Sequence, residues 1–197
     1  YDAPNDFDKV VSPKVSLMLA NSSPYALNLN FHVSKSYRAP TFNDLYWPFD
    51  GYTVGNENLD PEKGMNYEAG YGITLPFLNN TQVNMNYFYS EIDDQIIWAP
   101  AAKNIWTDDG RTVWTPTNVS KSKTSGLETF IGTKIYKDIV SLEITHTYMD
   151  ARDKSGDYND GKLLIYRPYN KADINAGFAY EKFSFNVNYQ FLSKRYV

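Results

Sequence analysis

The chain contains no cysteine and only two histidines in its 197 residues. The first absence removes disulfides, thiolate nucleophiles and cysteine-ligated metals, and the second leaves little from which to build an imidazole cluster. Positive charge is also short, with 19 lysines and arginines against 23 aspartates and glutamates for a net charge of -4. The electrostatic footprint of a nucleic-acid-binding surface is therefore missing, and no nucleic acid partner is expected. No stretch approaches the roughly 18 continuous apolar residues that a membrane-spanning helix requires. The opening "YDAPNDFDKV" has neither the basic nor the apolar region of a secretory leader, so the chain reads as mature or as a piece of a longer one. What is abundant is aromatic surface, 16% of all residues, with 17 tyrosines among them.

The arrangement of the apolar residues has a period of two. In "FSFNVNYQF", Phe183, Phe185, Val187, Tyr189 and Phe191 share one face, while Ser184, Asn186, Asn188 and Gln190 share the other. The same alternation sets Leu27, Leu29, Phe31 and Val33 against Asn28, Asn30 and His32, and Tyr67, Ala69, Tyr71 and Ile73 against Glu68, Gly70 and Gly72. It recurs at Val83 to Tyr89, Val140 to Ile144 and Ile174 to Tyr180, and more weakly over 13–20 and 116–136. These segments predict about eight antiparallel strands, many of the 9–11 residues that cross a bilayer at a tilt. No segment carries a convincing helical period. A mean hydropathy of -0.52 suits a soluble protein, but a transmembrane barrel averages an apolar outer face with a polar inner one and reaches similar values.

The connections separate these readings. Tight turns rich in turn-forming residues are predicted at 21–24, 77–80, 136–138 and 181–182. Between them lie long excursions at about 39–63, 98–115 and 151–161. Short and long connections alternate, so one end of the sheet is trimmed and the other carries large loops, the asymmetry of an outer-membrane barrel with short periplasmic turns and long extracellular loops. A soluble sandwich or lipocalin-like barrel would share the alternation. Against it stand the Asn-, Ser-, Thr- and Gly-rich polar face, the strand lengths, and aromatics near strand ends such as Tyr25, Trp98, Tyr136, Tyr148 and Tyr180, placed as interfacial girdles would be. The fold expected is all-β, an antiparallel transmembrane β-barrel segment of meander strands in contact with outer-membrane lipid.

Four ordered elements then carry a resemblance. "SKSYRAPTFNDLYWP" contains Arg38, Ala39, Pro40, Leu45 and Tyr46, and "VGNENLDPEKGMNYEAGYG" contains Gly55, Asn56, Asn58, Leu59, Pro61, Glu62 and Lys63. "TNVSKSKTSGLE" follows, with Gly126 and Glu128, and then "YRPYNKADINAGF". Together they resemble the barrel of TonB-dependent outer-membrane receptors, nearest to the vitamin B12 and ferric siderophore types. The resemblance implies a location in the bacterial outer membrane, a small-molecule ligand (corrinoid or iron chelate), and a TonB-type energy-transducing protein acting through a plug domain that this sequence does not show. It also implies that residues 1–197 are one partial barrel domain from the second half of a barrel of about 22 strands. An eight-strand closed barrel is the alternative, although glycine- and asparagine-rich inner faces would fill its narrow interior poorly. Pro40 and Pro61 suit the rims where strand pairing ends and resumes, since proline donates no ladder hydrogen bond.

No catalytic constellation emerges, and no enzyme activity is expected. His32 and His146 fall on opposite faces by parity, His32 inward. The polar-face charges Glu68, Glu128, Lys134, Glu143 and Asp173 read as structural lumen charges that pair across strands or meet a plug. Tyr46, Trp47, Phe49, Tyr52, Trp106 and Trp114 are the loop aromatics best suited to a large flat ligand. Asp153 and Asp157 partly echo a calcium loop, but Tyr158 replaces its glycine and Leu164 its final glutamate. A solvated acidic loop is the better reading of these residues; calcium in the extracellular loops is what the resemblance to vitamin B12 receptors implies, and no other cofactor is expected. A passive porin or adhesin barrel and a soluble carbohydrate-binding β-protein are the competing function classes.

Overall fold

The computed structural model describes residues 10–21, 25–101, 112–136, 138–156 and 160–195. Trp106 and Asp157 lie outside them. Eight strands follow one another in a single antiparallel meander: β1 (Lys14–Asn21), β2 (Leu27–Arg38), β3 (Glu62–Leu75), β4 (Thr81–Pro100), β5 (Trp114–Ile135), β6 (Val140–Asp153), β7 (Asn170–Tyr180) and β8 (Phe183–Leu192). Each strand pairs with its neighbours in sequence, and β1 does not pair with β8, so the sheet is open rather than a closed eight-stranded barrel.

Register keeps the two faces separate. Phe31 lies opposite Ala69, Ala69 opposite Tyr87, Tyr87 opposite Leu127 and Leu127 opposite Tyr148, all on the apolar face. Phe183, Val187 and Tyr71 are 74%, 48% and 37% exposed, so this face does not close over a dry centre. On the other face, asparagines lie over glycines. Asn30 opposes Gly70 and Asn28 opposes Gly72, and a Cβ at either glycine would run into those side chains. Two phenylalanines also stand on the polar face, where the alternation gave no sign of them: Phe88 lies over Gly126 and Phe130 over Gly132.

The short connections use left-handed backbone at Asn79 (φ 52), Asn80 (φ 55), Asp138 (φ 64) and Glu181 (φ 51), a conformation that asparagine and aspartate tolerate better than most residues. The other end is more structured than the sequence indicates. β4 and β5, at 20 and 22 residues, extend roughly 65–70 Å at about 3.3 Å per residue, more than a bilayer needs. They stand well beyond the apolar band and intrude into the excursion expected at 98–115. The third excursion runs on to residue 169 rather than 161, because Leu163 and Leu164 fold back on the end of β6, with the Leu164 N–H donating to the Ala151 carbonyl at 2.9 Å.

A short helix, α1 (Phe42–Tyr46), corrects the expectation that no helix forms. Five residues are too few to display a helical period, but Thr41 and Asp44 close a capping box at its start. The buried apolar residues gather at this end, beyond the band: Leu59, Ile96, Val113, Val119, Ala151 and Leu164.

Candidate functional site at the long-loop rim

The first excursion, residues 39–61, is anchored at its base by the last residue of β2 and the first of β3. Arg38 and Glu62 are register partners, and the guanidinium donates to Glu62 Oε1 at 2.6 Å. The same oxygen accepts the Ile96 N–H at 2.8 Å, tying this pair to β4. Asp44 holds α1 in place. Its Oδ2 accepts the Thr41 N–H (2.9 Å) and hydroxyl (2.7 Å), its Oδ1 accepts the Trp98 indole N–H (3.3 Å), and Arg38 stands 3.7 Å away. Burial by itself would raise the Asp44 pKa, but the Thr41 and Trp98 hydrogen bonds and the Arg38 charge outweigh it and hold the carboxyl below its usual range. Trp98 is thus a fastening between loop and hairpin, not the interfacial girdle residue that its place near a strand end suggested.

The loop then crosses to the far side of the β4–β5 hairpin. The Trp114 N–H donates to Tyr52 O at 2.7 Å and the Val54 N–H to Trp114 O at 3.0 Å, giving a parallel bridge between Thr53 and Trp114. Asn56 donates its Nδ2 to the Pro116 carbonyl (3.1 Å), while its Oδ1 accepts the Asn58 N–H (3.0 Å) in an Asx turn. Asn118 grips the returning chain through both ends of its amide: Oδ1 accepts the Asp60 N–H at 2.9 Å, and Nδ2 donates to the Asp60 and Asp94 carbonyls. Gly55 is required by close approach, since a Cβ there would lie 2.6 Å from Trp47 N and 2.7 Å from Leu45 O. Pro40 follows the end of β2 and Pro61 precedes β3, at the two feet of this loop.

This framework presents aromatic rings outward. Tyr46, Trp47, Phe49 and Tyr52 are all exposed, and Phe42 lies 5.0 Å from Tyr46 by ring centroid. Asp50 shapes the tip: its Oδ1 accepts the N–H groups of Tyr52 (2.9 Å) and Thr53 (2.8 Å), and its Oδ2 accepts the Thr53 hydroxyl (2.8 Å). The Tyr52 N–H, with the Thr53 groups behind it, lowers the Asp50 pKa to about 2. Trp114 sits 6.2 Å from the Tyr166 ring and helps line a groove of about 400 Å³ with Ile97, Trp98, Leu164 and Arg167. The structure therefore brings Trp114 to the predicted loop aromatics through backbone bonds. Phe42, Tyr166 and Arg167 join the rim without having been singled out in the sequence, because the excursions meet only in the fold.

The remaining predicted residues lie elsewhere. Gly126 is buried under Phe88 and the Tyr148 carbonyl, and Glu128 is exposed on the polar face between Asn86 and Thr147. Asp173 pairs with Lys171 (3.2 Å) and accepts from Gln190 (2.7 Å) on that face. Asp153 is buried, with Oδ1 accepting the Ser155 N–H (2.8 Å) and hydroxyl (2.5 Å). Among the described residues no group of three His, Asp or Glu side chains could hold a metal ion. His32 Nδ1 meets the Ser16 hydroxyl at 2.7 Å, and His146 Nε2 meets Asn170 Oδ1 at 3.1 Å. Among the described residues no carboxylate is bonded to either imidazole, so the Ser16–His32 pair lacks the acid of a triad.

All of residues 1–197 match the family described as TonB dependent receptor-like, beta-barrel. Over 159 residues the chain is 31% identical to the vitamin B12 transporter BtuB of Vibrio vulnificus (strain YJ016), covering 81% of this chain and 23% of that protein. Among solved structures, the siderophore receptor PirA from Pseudomonas aeruginosa superposes with a TM-score of 0.66 at 18% identity, over 94% of this chain and 31% of its own. The copper transporter OprC superposes with a TM-score of 0.71 at 15% identity, over 91% of this chain and 25% of its own. The structural likenesses establish the fold, and this chain spans under a third of the length of each of these relatives. These relatives are transporters and receptors, not enzymes. With the family match running the whole length and the sheet carrying short turns at one end and long loops at the other, the chain belongs to the TonB-dependent receptors, as a stretch of their transmembrane β-barrel.

Proposed function

We propose that this chain is part of an outer-membrane receptor for active uptake of vitamin B12 or a ferric siderophore, and that its long-loop rim captures the ligand outside the cell. The single observation that carries the reading is the cluster of exposed rings at Tyr46, Trp47, Phe49 and Tyr52, held on a loop whose backbone is bonded to Trp114. Flat apolar surfaces with a few polar anchors suit a corrinoid or an aromatic chelate. The sequence relative named as a vitamin B12 transporter puts a corrinoid first, and an iron chelate is the other outcome. Transport would be driven by a TonB-type partner through a plug domain, with the ligand passing along the polar face.

The test is equilibrium binding of cyanocobalamin and of a ferric catecholate to the full-length receptor in detergent. One of the two is expected to bind, and Trp47→Ala combined with Tyr52→Ala is expected to weaken it. A receptor that binds neither, or that binds equally well without those rings, overturns the reading.

A further inference from the structure

The limb of the first excursion that returns to β3 runs along β5, and three alternate residues of that strand take it up in order. Trp114 holds Tyr52 and Val54 through its backbone, the Pro116 carbonyl receives the Asn56 amide, and Asn118 holds Asp60. Only the last rung is made by a side chain of β5. There the Asn118 amide stands in for the peptide group of a neighbouring strand, with Oδ1 accepting the Asp60 N–H at 2.9 Å and Nδ2 donating to the Asp60 carbonyl at 3.0 Å. Nδ2 also donates to the Asp94 carbonyl at 2.6 Å, on a β4 residue whose backbone is left-handed (φ 56). A carboxylate has no hydrogen to give and a hydroxyl has one, so neither could hold both carbonyls. Pro61, which follows, has no N–H, so Asp60 offers the last one before β3 begins at Glu62.

The limb in turn carries the ring-bearing segment. The Gly55 N–H donates to the Trp47 carbonyl at 2.9 Å and the Asn56 N–H to the Asp44 carbonyl at 2.8 Å. A limb that shifts therefore takes Tyr46 and Trp47 with it. Packing gives little resistance to such a shift, because Asp44 and Leu59 are the only buried residues between Ala39 and Pro61. Hydrogen bonds place this loop.

We propose that Asn118 is a positioning residue for ligand capture: its amide fixes the limb, and through the limb it sets where Tyr46, Trp47 and Tyr52 stand, without touching the ligand itself. The role rests on the capture reading given above. Rings already in place need not be ordered when the ligand arrives, and that ordering is a cost that otherwise weakens binding.

The test uses the full-length receptor in detergent, with cyanocobalamin and a ferric catecholate as probes. Asn118→Ala is expected to bind the accepted probe about 10-fold more weakly than wild type, the weight of roughly one good hydrogen bond, while Thr117→Ala, on the other face of the strand, is expected to bind as wild type. Asn118→Asp keeps an acceptor for the Asp60 N–H but has nothing to donate to either carbonyl, and is expected to resemble Asn118→Ala. Amide exchange is expected to quicken at Gly55 and Asn56 in both variants and to stay unchanged at Ile144 in the wall. A double-mutant cycle separates positioning from general support: in a receptor already carrying Trp47→Ala and Tyr52→Ala, Asn118→Ala is expected to weaken binding by less than about 2-fold more. Wild-type affinity in either Asn118 variant, or the full additional loss in the background without those rings, overturns the role. If wild type binds neither probe, the capture reading falls and the role with it; if it binds one and the Asn118 variants bind that probe equally well, only the role falls.

Discussion

The Arg38 guanidinium and the Glu62 carboxylate, the last residue of β2 and the first of β3, meet at 2.6 Å at the foot of a loop that leaves the sheet between them. Glu62 also accepts the Ile96 N–H with the same oxygen, so the pair fixes where β4 continues past the band. Glu62→Ala would leave that N–H without an acceptor and the guanidinium with only Asp44, 3.7 Å away, at about 1–3 kcal/mol of local stability. The expected outcome is faster amide exchange at Ile96 and through residues 41–58, with a smaller effect from Glu62→Gln. Unchanged protection at Ile96 would refute the role assigned to Glu62.

Two glycines of the polar face make a contrast. A Cβ at Gly126 meets the Tyr148 carbonyl and the Phe88 ring, and the backbone atom cannot turn away; a Cβ at Gly132 meets only the Phe130 ring, at 2.8 Å. Gly126→Ala is expected to cost about 1–3 kcal/mol through overpacking, and Gly132→Ala less than about 1 kcal/mol after Phe130 rotates. Unfolding midpoints in urea, with the protein folded into liposomes, compare the two.

Asp50 sets a pH window for the loop tip. Its pKa of about 2 in the folded loop lies below the ordinary carboxylate value, so the ionised form is the one that stabilises. That contribution is complete above about pH 4 and is lost as the pH falls through 2. Amide exchange at Tyr52 and Thr53, corrected for its intrinsic pH dependence, is expected to stay protected from neutrality to about pH 4 and to rise below it. Asp50→Asn, which cannot ionise, is expected to flatten this profile.

Adjacent residues on β6 test which face meets lipid. Ile144 lies in a row with Ile131 and Ile174, while Thr145 points to the polar side. Ile144→Arg is expected to cost about 2–4 kcal/mol of folding stability in a bilayer, as a lipid-facing arginine near the midplane does. Thr145→Arg is expected to cost much less. Similar losses for both would mean that the faces are misassigned.

The strands were legible in the sequence because a period of two survives in "FSFNVNYQF" whatever lies on either side of the sheet. The helix at Phe42–Tyr46 was not, since one turn and a half leaves no period to detect, although Thr41 and Asp44 at capping-box spacing could have announced it. Phe88 and Phe130 escaped because alternation assigns faces by polarity, and these rings sit on the polar side to cover glycines. The rim was half legible. The motif residues could be named, but Trp98 bonding to Asp44, and Asn118 holding Asp60, join positions more than fifty residues apart and exist only after folding.

Val113 has no solvent exposure, and Pro116 and Ser122 almost none. They lie on the projecting hairpin, not in the wall that hydrocarbon surrounds. Lipid stabilises the wall, whereas this crown is stabilised as a small water-soluble protein is, by its own interior. Denaturants that act from the aqueous side will therefore dissolve the crown first and leave the embedded staves standing, so the crown can come apart while the wall still passes every assay for correct insertion.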